Sequence, residues 1–434
     1  MSDTQLYTSD YLFEVSWEVC NKVGSVHSAI SSKVPEIEKK LKDNYILIGP
    51  DVWKETGEHP EFSEDNSIFK LWREKAAAQG LHFRTGRWNV KGNPVVILVD
   101  FTPYFSAKDK IFEELWLNHK VDSISGQWDY IEPALFGYAA AKVIESFYEY
   151  YITAEDLIVA HFHEWMTGVG VLNIKESVPQ IATIFTIHST ILGKTIASAG
   201  MPLYKELETY HGESMARKFN IMSQYSLEKT SALSCDAFTV LSSSLERECL
   251  HFIGRKPDVI TPSGANMSCV LNDQEFISKR LKAREKLLLV GSAISGMRLP
   301  EDTFIVLTSG RYDFRNKGVD LFIDALGKVN REGNPQKVIL ALIALPGNQS
   351  GARRELIEKL NTLDFSDTGS GKLITHTLFD RDVDPVLRKL QENGLSNKPD
   401  DMVKVVFAPI YLNGYDGIFN MTYYDILPGF DLSV

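Results

Sequence analysis

A glycine-bounded basic turn at residues 307–318, LTSGRYDFRNKG, is the strongest chemical signal in the sequence. A predicted strand ends before Gly310, which suits a tight turn, and Gly318 begins a predicted helix. Arg311 and Lys317 lie between the glycines, where helix N-terminal amides and two cations would together bind an anion such as phosphate. A solvated basic turn explains the pattern equally well, and the Walker-loop spacing is absent.

A second glycine turn lies near the N-terminus, where the predicted strand Tyr11–Val15 leads into the segment NKVGS at 21–25. Lys22 beside Gly24 at a strand-to-helix turn could contact a diphosphate. Such turns occur throughout α/β proteins, so this pattern alone is a weak indication.

Histidines follow two further predicted strands, in AHFHEW at 160–165 and at His188. Ligands of doubly wound sheets bind beyond the carboxyl ends of the strands, so His163 and His188 are candidates to donate a hydrogen bond to a sugar hydroxyl or a phosphate. We expect His161 and His163 to point to opposite faces of the strand and therefore not to share a metal ion. For one of these two, a core histidine bonded to the backbone is the simpler interpretation. Glu164 follows them, but the zinc-binding pattern HExxH is absent.

The elements that must position these residues are short apolar runs alternating with helical patterns. Apolar strands separated by helices are typical of a parallel sheet covered on both faces, which predicts a doubly wound α/β domain. The predicted strands are residues 11–15, 45–48, 95–101, 157–161, 181–188, 237–241 and 259–261, and the helices include 134–150, 215–234 and 243–253.

A second series of strands and helices follows a charged helix at 275–290 and a linker at 291–302. We therefore predict two domains, residues 1–290 and 303–434, with a ligand cleft between them. The last predicted strand, 430–434, is followed by no crossover or neighbour, so the second domain is interpreted as incomplete. Its other predicted strands are 304–309, 337–345, 372–379 and 402–408, and its helices are 318–330, 353–363 and 385–393.

Composition and charge exclude several classes of protein. The 434 residues include 46 Lys and Arg against 57 Asp and Glu, and the net charge of −11 argues against a nucleic-acid partner. No apolar run is long enough to span a membrane, so we expect a cytoplasmic protein with no membrane partner. The seven tryptophans all precede residue 166, where core packing explains most of them and a carbohydrate surface is conceivable. Reduced thiols, rather than a zinc site or disulfides, are predicted for the four separated cysteines, Cys20, Cys235, Cys249 and Cys269.

Six long segments, in a fixed order, resemble one known family. They are 12–30 (LFEVSWEVCNKVGSVHSAI), 160–170 (AHFHEWMTGVG), 183–194 (TIFTIHSTILGK), 255–266 (RKPDVITPSGAN), 309–326 (SGRYDFRNKGVDLFIDAL) and 423–434 (YYDILPGFDLSV). From Leu12 to Val434 the chain resembles the eukaryotic-type (animal and fungal) glycogen synthases, in a short form such as some bacteria carry.

The resemblance implies a GT-B fold, in which two Rossmann-like domains face a cleft. It also implies retaining transfer of glucose from UDP-glucose to the non-reducing end of an α-1,4-glucan. No cofactor or metal is expected, because protein cations offset the diphosphate charge; ADP-glucose as donor and a homo-oligomer stay open. The residues that match the family's site are the diphosphate-binding pair Arg311 and Lys317, the loop residues Lys22 and Gly24, and the catalytic-centre histidines His163 and His188.

Three departures from the family's pattern bear on function. Ser25 stands where the family usually has a second glycine, which would set that loop slightly further from a phosphate. Residues 380–404 hold no arginine cluster like the one that serves glucose-6-phosphate control in animal and fungal members, so we expect no activation by glucose-6-phosphate. The family's paired glutamates would follow Val434, so the chain resembles a truncated synthase, and the 434 residues alone are predicted to be inactive.

Two other functions stay open on the sequence. One is a non-catalytic remnant that binds a glucan or a nucleotide sugar, because the glutamate segment is missing. The other is a different GT-B enzyme, such as a sucrose- or trehalose-type synthase, against which the AHFHEW segment and the Lys22 turn argue.

Overall fold

A nine-stranded sheet organises the first of the two units into which the chain divides, residues 1–266 and 267–434. Cys269 and the first residue of the predicted strand 372–379 lie outside the described residues. The computed structural model describes residues 8–55, 59–264, 270–333, 335–365 and 373–434.

Parallel strands fill the centre of the first sheet, and an antiparallel pair forms one edge. The strands are β1 (Tyr11–Val15), β2 (Tyr45–Pro50), β3 (Phe62–Glu64), β4 (Phe83–Trp88), β5 (Val95–Val99), β6 (Ile158–His163), β7 (Ala182–Ile187), β8 (Ala237–Val240) and β9 (Val259–Ile260). Their order is β3-β4-β5-β2-β1-β6-β7-β8-β9, and only the pairs β3–β4 and β4–β5 are antiparallel among them. The sequence pattern does not predict β3 and β4, because FSE and FRTGRW contain few apolar residues.

Helices cover this sheet on both faces, as the alternating pattern predicts. Apolar side chains of β1, β2 and β5 pack into two separate clusters, one on each side of the sheet. The helices of the first unit are α1 (Ser25–Leu41), α2 (Lys70–Ala78), α3 (Lys108–His119), α4 (Trp128–Tyr151), α5 (Gly168–Ser177), α6 (Ile191–Ser198), α7 (Gly212–Lys218), α8 (Met222–Ser234) and α9 (Ser243–Phe252).

The second unit has a smaller parallel sheet and a separate antiparallel pair of strands. Its strands are β10 (Phe304–Ser309), β11 (Ile339–Ala344), β12 (Gln349–Ala352), β13 (His376–Leu378), β14 (Val403–Ala408) and β15 (Leu432–Ser433). The order in the parallel sheet is β14-β11-β10-β15, and β12 pairs with β13. Its helices are α10 (Asp273–Ser295), α11 (Val319–Glu332), α12 (Arg354–Thr362), α13 (Pro385–Glu392) and α14 (Tyr423–Ile426). Both main sheets are thus largely or wholly parallel, which confirms the predicted α/β class. No helix among the described residues is both long and apolar enough to cross a membrane.

Helix α10 belongs to the second unit. Arg280 and Arg284 bind the Asp431 carboxylate at 2.5 and 2.9 Å, and Asp431 also accepts the backbone N–H of Ile305 at 2.8 Å. The apolar cluster that contains residues of β10, β11 and β14 also includes Ala283, Leu287 and Val290 of α10. The division therefore falls before this helix, and the predicted domain boundary at residue 290 falls within it.

Three predicted elements are wrong in detail. The predicted helix 215–234 is two helices, α7 and α8, because Asn220 between them adopts a left-handed conformation with φ of 56°. The predicted linker 291–302 begins too early, because α10 continues to a left-handed cap at Gly296 with φ of 72°. In the described part of 372–379, only β13 is a strand, and it pairs antiparallel with β12 outside the main sheet.

Helix α5 follows β6 and packs closely against α4 through two glycines. A Cβ added at Gly170 would lie 2.5 Å from Cε1 of Phe162 and 2.9 Å from the carbonyl oxygen of Gly137. Phe162 is fully buried and the second contact is backbone, so neither can move aside easily.

Gly170→Ala should lower the free energy of unfolding by about 1–3 kcal/mol, because the added methyl group overpacks this contact. The measurement is chemical denaturation of the wild type and the variant. Ser28→Ala, at an exposed position of α1, is the control and should change stability by no more than about 0.5 kcal/mol. If Gly170→Ala is as stable as this control, α4 and α5 can move apart without loss of stability, and the close packing at Gly170 does not contribute as we expect.

Candidate functional site

Three adjacent parallel strands bring a carboxylate and histidines together near the carboxyl end of the first sheet. Glu14 on β1 lies beside His161 of β6 in the strand register, and His163 is the last residue of β6. His188 directly follows the neighbouring strand β7. The structure therefore brings the two predicted histidines together and adds a carboxylate that the sequence pattern does not single out.

Glu14 is a fully buried carboxylate that accepts hydrogen bonds from three side chains. Its Oε1 lies 2.5 Å from the ammonium of Lys33 and 2.7 Å from Nε2 of His163, and its Oε2 accepts from the Tyr45 hydroxyl. Burial opposes ionisation, but the charge of Lys33 and the hydrogen bond from His163 hold the pKa of the Glu14 carboxyl well below its usual range. Glu14 is therefore an ionised acceptor at neutral pH.

His163 connects Glu14 to His188. Nδ1 of His163 lies 2.9 Å from Nε2 of His188, while its Nε2 faces Glu14. Burial lowers the pKa of His163, and burial together with His163 and Lys33 lowers the pKa of His188 to about 3. Both rings are therefore neutral at neutral pH. Within the described residues, Nδ1 of His188 is buried without a hydrogen-bond partner.

His161 lies on the same face of β6 as His163, so the predicted opposite orientation is wrong. Residues two apart on a strand share a face, and the centroids of these two rings lie 4.1 Å apart. Nε2 of His161 bonds to Oγ1 of Thr186 at 2.7 Å. Ligand atoms of Glu14, His161 and His163 all lie within 4.8 Å of one another, a spacing that could hold a metal ion. The ammonium of Lys33 already supplies positive charge beside Glu14, so these residues fit a paired carboxylate better than a metal centre.

Glu164 fixes the backbone that carries His188. Its φ of 64° and ψ of 163° lie in a region that side-chain-bearing residues rarely adopt, a strain of about 1–3 kcal/mol. Oε1 of Glu164 accepts the backbone N–H groups of His188 at 2.7 Å and of Ser189 at 3.1 Å. Burial raises the pKa of the Glu164 carboxyl to about 7, against the opposing effect of these hydrogen bonds. This glutamate therefore stabilises the turn after β7.

The predicted turn around Lys22 and Gly24 leads into α1, as expected. The backbone N–H groups of Gly24 and His27 both donate to Oε2 of Glu18, at 2.7 and 2.9 Å. A carboxylate of the protein therefore occupies the amides that would otherwise face an anion. The Lys22 side chain is exposed, and no described contact joins it to His163.

The predicted basic turn of the second unit follows β10 and precedes α11. The half-buried Arg311 and the exposed Lys317 have no hydrogen bond or ion pair from their side chains within the described part of the chain. The backbone N–H groups of Val319 and Asp320 donate to the carbonyl oxygen of Phe314 at 3.1 and 3.4 Å. The side chains, more than the helix N-terminal amides, are therefore available to an anion.

A separate cavity of about 550 Å³ in the second unit is lined in part by Arg381, Arg388 and Lys398. These three cations come from one short stretch of the sequence and line the same cavity. Nε of Arg388 donates to the carbonyl oxygen of Asp382 at 3.0 Å, and all three cationic side chains lie at the surface. The absence of activation by glucose-6-phosphate stays a prediction.

The sequence pattern does not identify four features of this site: Glu14, Lys33, Tyr45 and the role of Glu164. A carboxylate inside the apolar strand YLFEV is the signal that could have identified Glu14, because a buried charge requires partners. Lys33 gives no such signal, since a lysine on an amphipathic helix ordinarily faces solvent.

Glu164→Gln should remove part of the pH dependence of folding stability. The folded-state pKa of Glu164, about 7, is raised above its unfolded value, so its stabilising contribution is complete below the unfolded pKa and is lost as the pH rises through 7. Glutamine keeps an acceptor oxygen but cannot ionise. The free energy of unfolding of the variant should exceed that of the wild type by up to about 3 kcal/mol at about pH 8. The two values should be equal at about pH 4.5.

Thermal unfolding across this pH range measures the difference between Glu164→Gln and the wild type. Glu113→Gln, which removes an exposed carboxylate of α3, is the control and should show no such pH-dependent gain. A gain of equal size at every pH would contradict the assignment to ionisation of Glu164.

Sequence comparison relates the chain to known enzymes. A sequence model of the family described as glycogen synthase matches residues 14–362 and 359–434. The chain is 28% identical to the glycogen (starch) synthase of Neurospora crassa over 481 residues, covering 98% of this chain and 68% of that protein. It is 28% identical to the Caenorhabditis elegans enzyme, covering 98% and 72%, and 26% identical to the human liver enzyme, covering 98% and 68%.

Solved structures give weaker similarity. The catalytic domain of starch synthase IV from Arabidopsis thaliana, bound to ADP and acarbose, has 13% identity and a TM-score of 0.45, covering 88% of this chain and 76% of that one. A trehalose 6-phosphate synthase from Burkholderia multivorans has 11% identity and a TM-score of 0.47, covering 97% and 76%. At these scores the family assignment rests on the sequences alone.

The family match begins at Glu14, the buried carboxylate that anchors His163 and His188, and continues through the basic turn of the second unit to Val434. The chain therefore belongs to the glycogen synthase family.

Proposed function

We propose that this protein is a glycosyltransferase that moves glucose from UDP-glucose to the non-reducing end of an α-1,4-glucan, with retention at the anomeric carbon. Membership of the glycogen synthase family supports the reaction. The observation that carries the proposal is the pair Arg311 and Lys317, two cations without partners in the described residues at a strand-to-helix turn.

These two cations suit the diphosphate of a nucleotide sugar. A guanidinium group can make two parallel hydrogen bonds to one phosphate, and an ammonium group adds a mobile point charge. Negative charge grows on the diphosphate as it leaves the sugar, so Arg311 and Lys317 would stabilise the transition state electrostatically. Lys22 would contribute through its side chain, because Glu18 holds the amide of Gly24.

In the first unit, His188 would orient a hydroxyl group of the donor sugar, and His163, whose two ring nitrogens face Glu14 and His188, would hold His188 in place. Burial keeps both rings neutral. Positive charge develops on the sugar during retaining transfer, and neutral rings avoid repelling it while still forming hydrogen bonds.

A cytoplasmic location is part of the same proposal. The described cysteines, Cys20, Cys235 and Cys249, are buried free thiols. Burial is the main factor that raises the pKa of each thiol, which disfavours the reactive thiolate. Free thiols are the ordinary state of cysteines in a reducing compartment.

Arg311→Ala should weaken UDP binding by about 10- to 100-fold, because a charge-assisted hydrogen bond contributes roughly 1.5–3 kcal/mol. Isothermal titration calorimetry with UDP measures the change. Arg298→Ala is the matched control, since it removes an exposed arginine of the same unit away from this turn. Equal UDP affinity in Arg311→Ala and Arg298→Ala would contradict the proposed diphosphate contact.

Transfer itself is tested with radiolabelled donors and glycogen, using the full-length gene product. We expect label from UDP-glucose to enter the polymer in α-1,4 linkage, released by an exo-acting α-1,4-glucosidase, and Arg311→Ala to reduce incorporation. A parallel assay with labelled ADP-glucose shows which of the two nucleotide sugars is the donor. Binding of UDP-glucose without any incorporation would instead support a binding protein.

A further inference from the structure

The hydrogen bonds of His163 determine where its proton lies. An ionised carboxylate only accepts, so the 2.7 Å contact with Glu14 requires the proton of His163 on Nε2. In a neutral ring the other nitrogen, Nδ1, then carries a lone pair. Glu14 therefore selects one tautomer of His163.

The hydrogen bond between the two rings fixes the tautomer of His188 as well. Nδ1 of His163 accepts, so Nε2 of His188, 2.9 Å away, must donate. Nδ1 of His188 is then an acceptor as well. It is buried and has no partner among the described residues, although buried polar atoms are nearly always paired.

Both ends of this Glu14–His163–His188 chain are held in place. Lys33 and Tyr45 bind the Glu14 carboxylate at one end. At the other end, Glu164 binds the backbone N–H of His188. The direction of the unpaired Nδ1 is thus set by the protein before any ligand arrives.

We propose that Glu14 is a positioning residue that, through His163, fixes His188 in the Nε2-protonated tautomer, so that Nδ1 of His188 accepts a hydrogen bond from a ligand hydroxyl. A lone pair repels the oxygens of a phosphate or a carboxylate, so the group recognised here is a hydroxyl or an N–H. The identity of the ligand rests on the proposed function, which makes it a hydroxyl of the donor glucose.

The first test is nuclear magnetic resonance of the protein labelled with ¹⁵N-histidine. In the free wild type, the His188 signals, assigned by comparison with His188→Gln, should show a protonated Nε2 and an unprotonated Nδ1. Glu14→Gln should mix the tautomers of His163 and His188. A free wild type with the proton of His188 on Nδ1 would overturn the proposal without reference to any ligand.

The second test compares two substitutions of His188 by titration with UDP-glucose and with UDP. Glutamine places its amide nitrogen near the position of Nε2, so His188→Gln keeps the contact to His163 but removes the acceptor. Asparagine places an amide oxygen near Nδ1, so His188→Asn restores an acceptor. We expect His188→Gln to lower the affinity for UDP-glucose about tenfold while leaving the affinity for UDP unchanged. His188→Asn should recover part of the lost affinity for UDP-glucose.

The two titrations separate this inference from the proposed function. If His188→Gln weakens both ligands equally, or weakens neither, Nδ1 of His188 does not recognise the sugar and the inference about the ligand is wrong. If the wild type binds neither ligand, the proposed function fails, and the ligand assigned to His188 fails with it. The tautomer measurement on the free protein then still decides the role of Glu14.

Discussion

An ionised carboxylate at the centre of a parallel sheet is the constraint on which the candidate site of the first unit depends. An unpaired charge at the buried position of Glu14 would cost several kcal/mol. Its partners come from three elements: Lys33 from α1, Tyr45 from β2 and His163 from β6. The charge is compensated only when all three elements are in place around β1, so the site is complete only in the folded unit.

Charged side chains are paired within the candidate site of the first unit and unpaired in the basic turn of the second, among the described residues. This difference is consistent with the roles proposed for the two units. In the first unit, Lys33 neutralises Glu14 and the neighbouring histidines stay uncharged. In the second unit, Arg311 and Lys317 have no partner among the described residues. Cations without an internal partner interact most strongly with an external anion, as a leaving diphosphate would be.

In the turn between β6 and α5, neighbouring contacts stabilise a strained backbone conformation close to the candidate site. Glu164 adopts an unfavourable conformation, and Oγ1 of Thr167 donates to the carbonyl oxygens of His163 and Glu164 at 2.9 and 3.1 Å. Close packing of Gly170 against α4 then fixes the start of α5. The surrounding contacts hold this conformation, and Glu164 in return fixes the turn that presents His188.

The sequence pattern correctly predicts the fold class, most of the strands and the positions of the two basic turns. These features are local, since apolar periodicity and turn glycines act within a few residues of chain. It also predicts His163, His188, Arg311 and Lys317 as site residues, because ligands of doubly wound sheets gather at the carboxyl ends of strands, and their roles stay proposals. The sequence pattern missed the edge strand β3 and its neighbour β4, because the pairing of β3 with β4 and of β4 with β5 depends on the assembled sheet, which no local pattern reveals.

Which side chains contact one another depends on how the strands pair in the folded protein. Glu14 and His163 are 149 residues apart in sequence, and their contact follows from the parallel register of β1 and β6. The burial that keeps the histidines neutral likewise exists only once the sheet is covered by helices. Hydrogen bonds between strands depend on register and burial to within an ångström, and local sequence preference specifies neither.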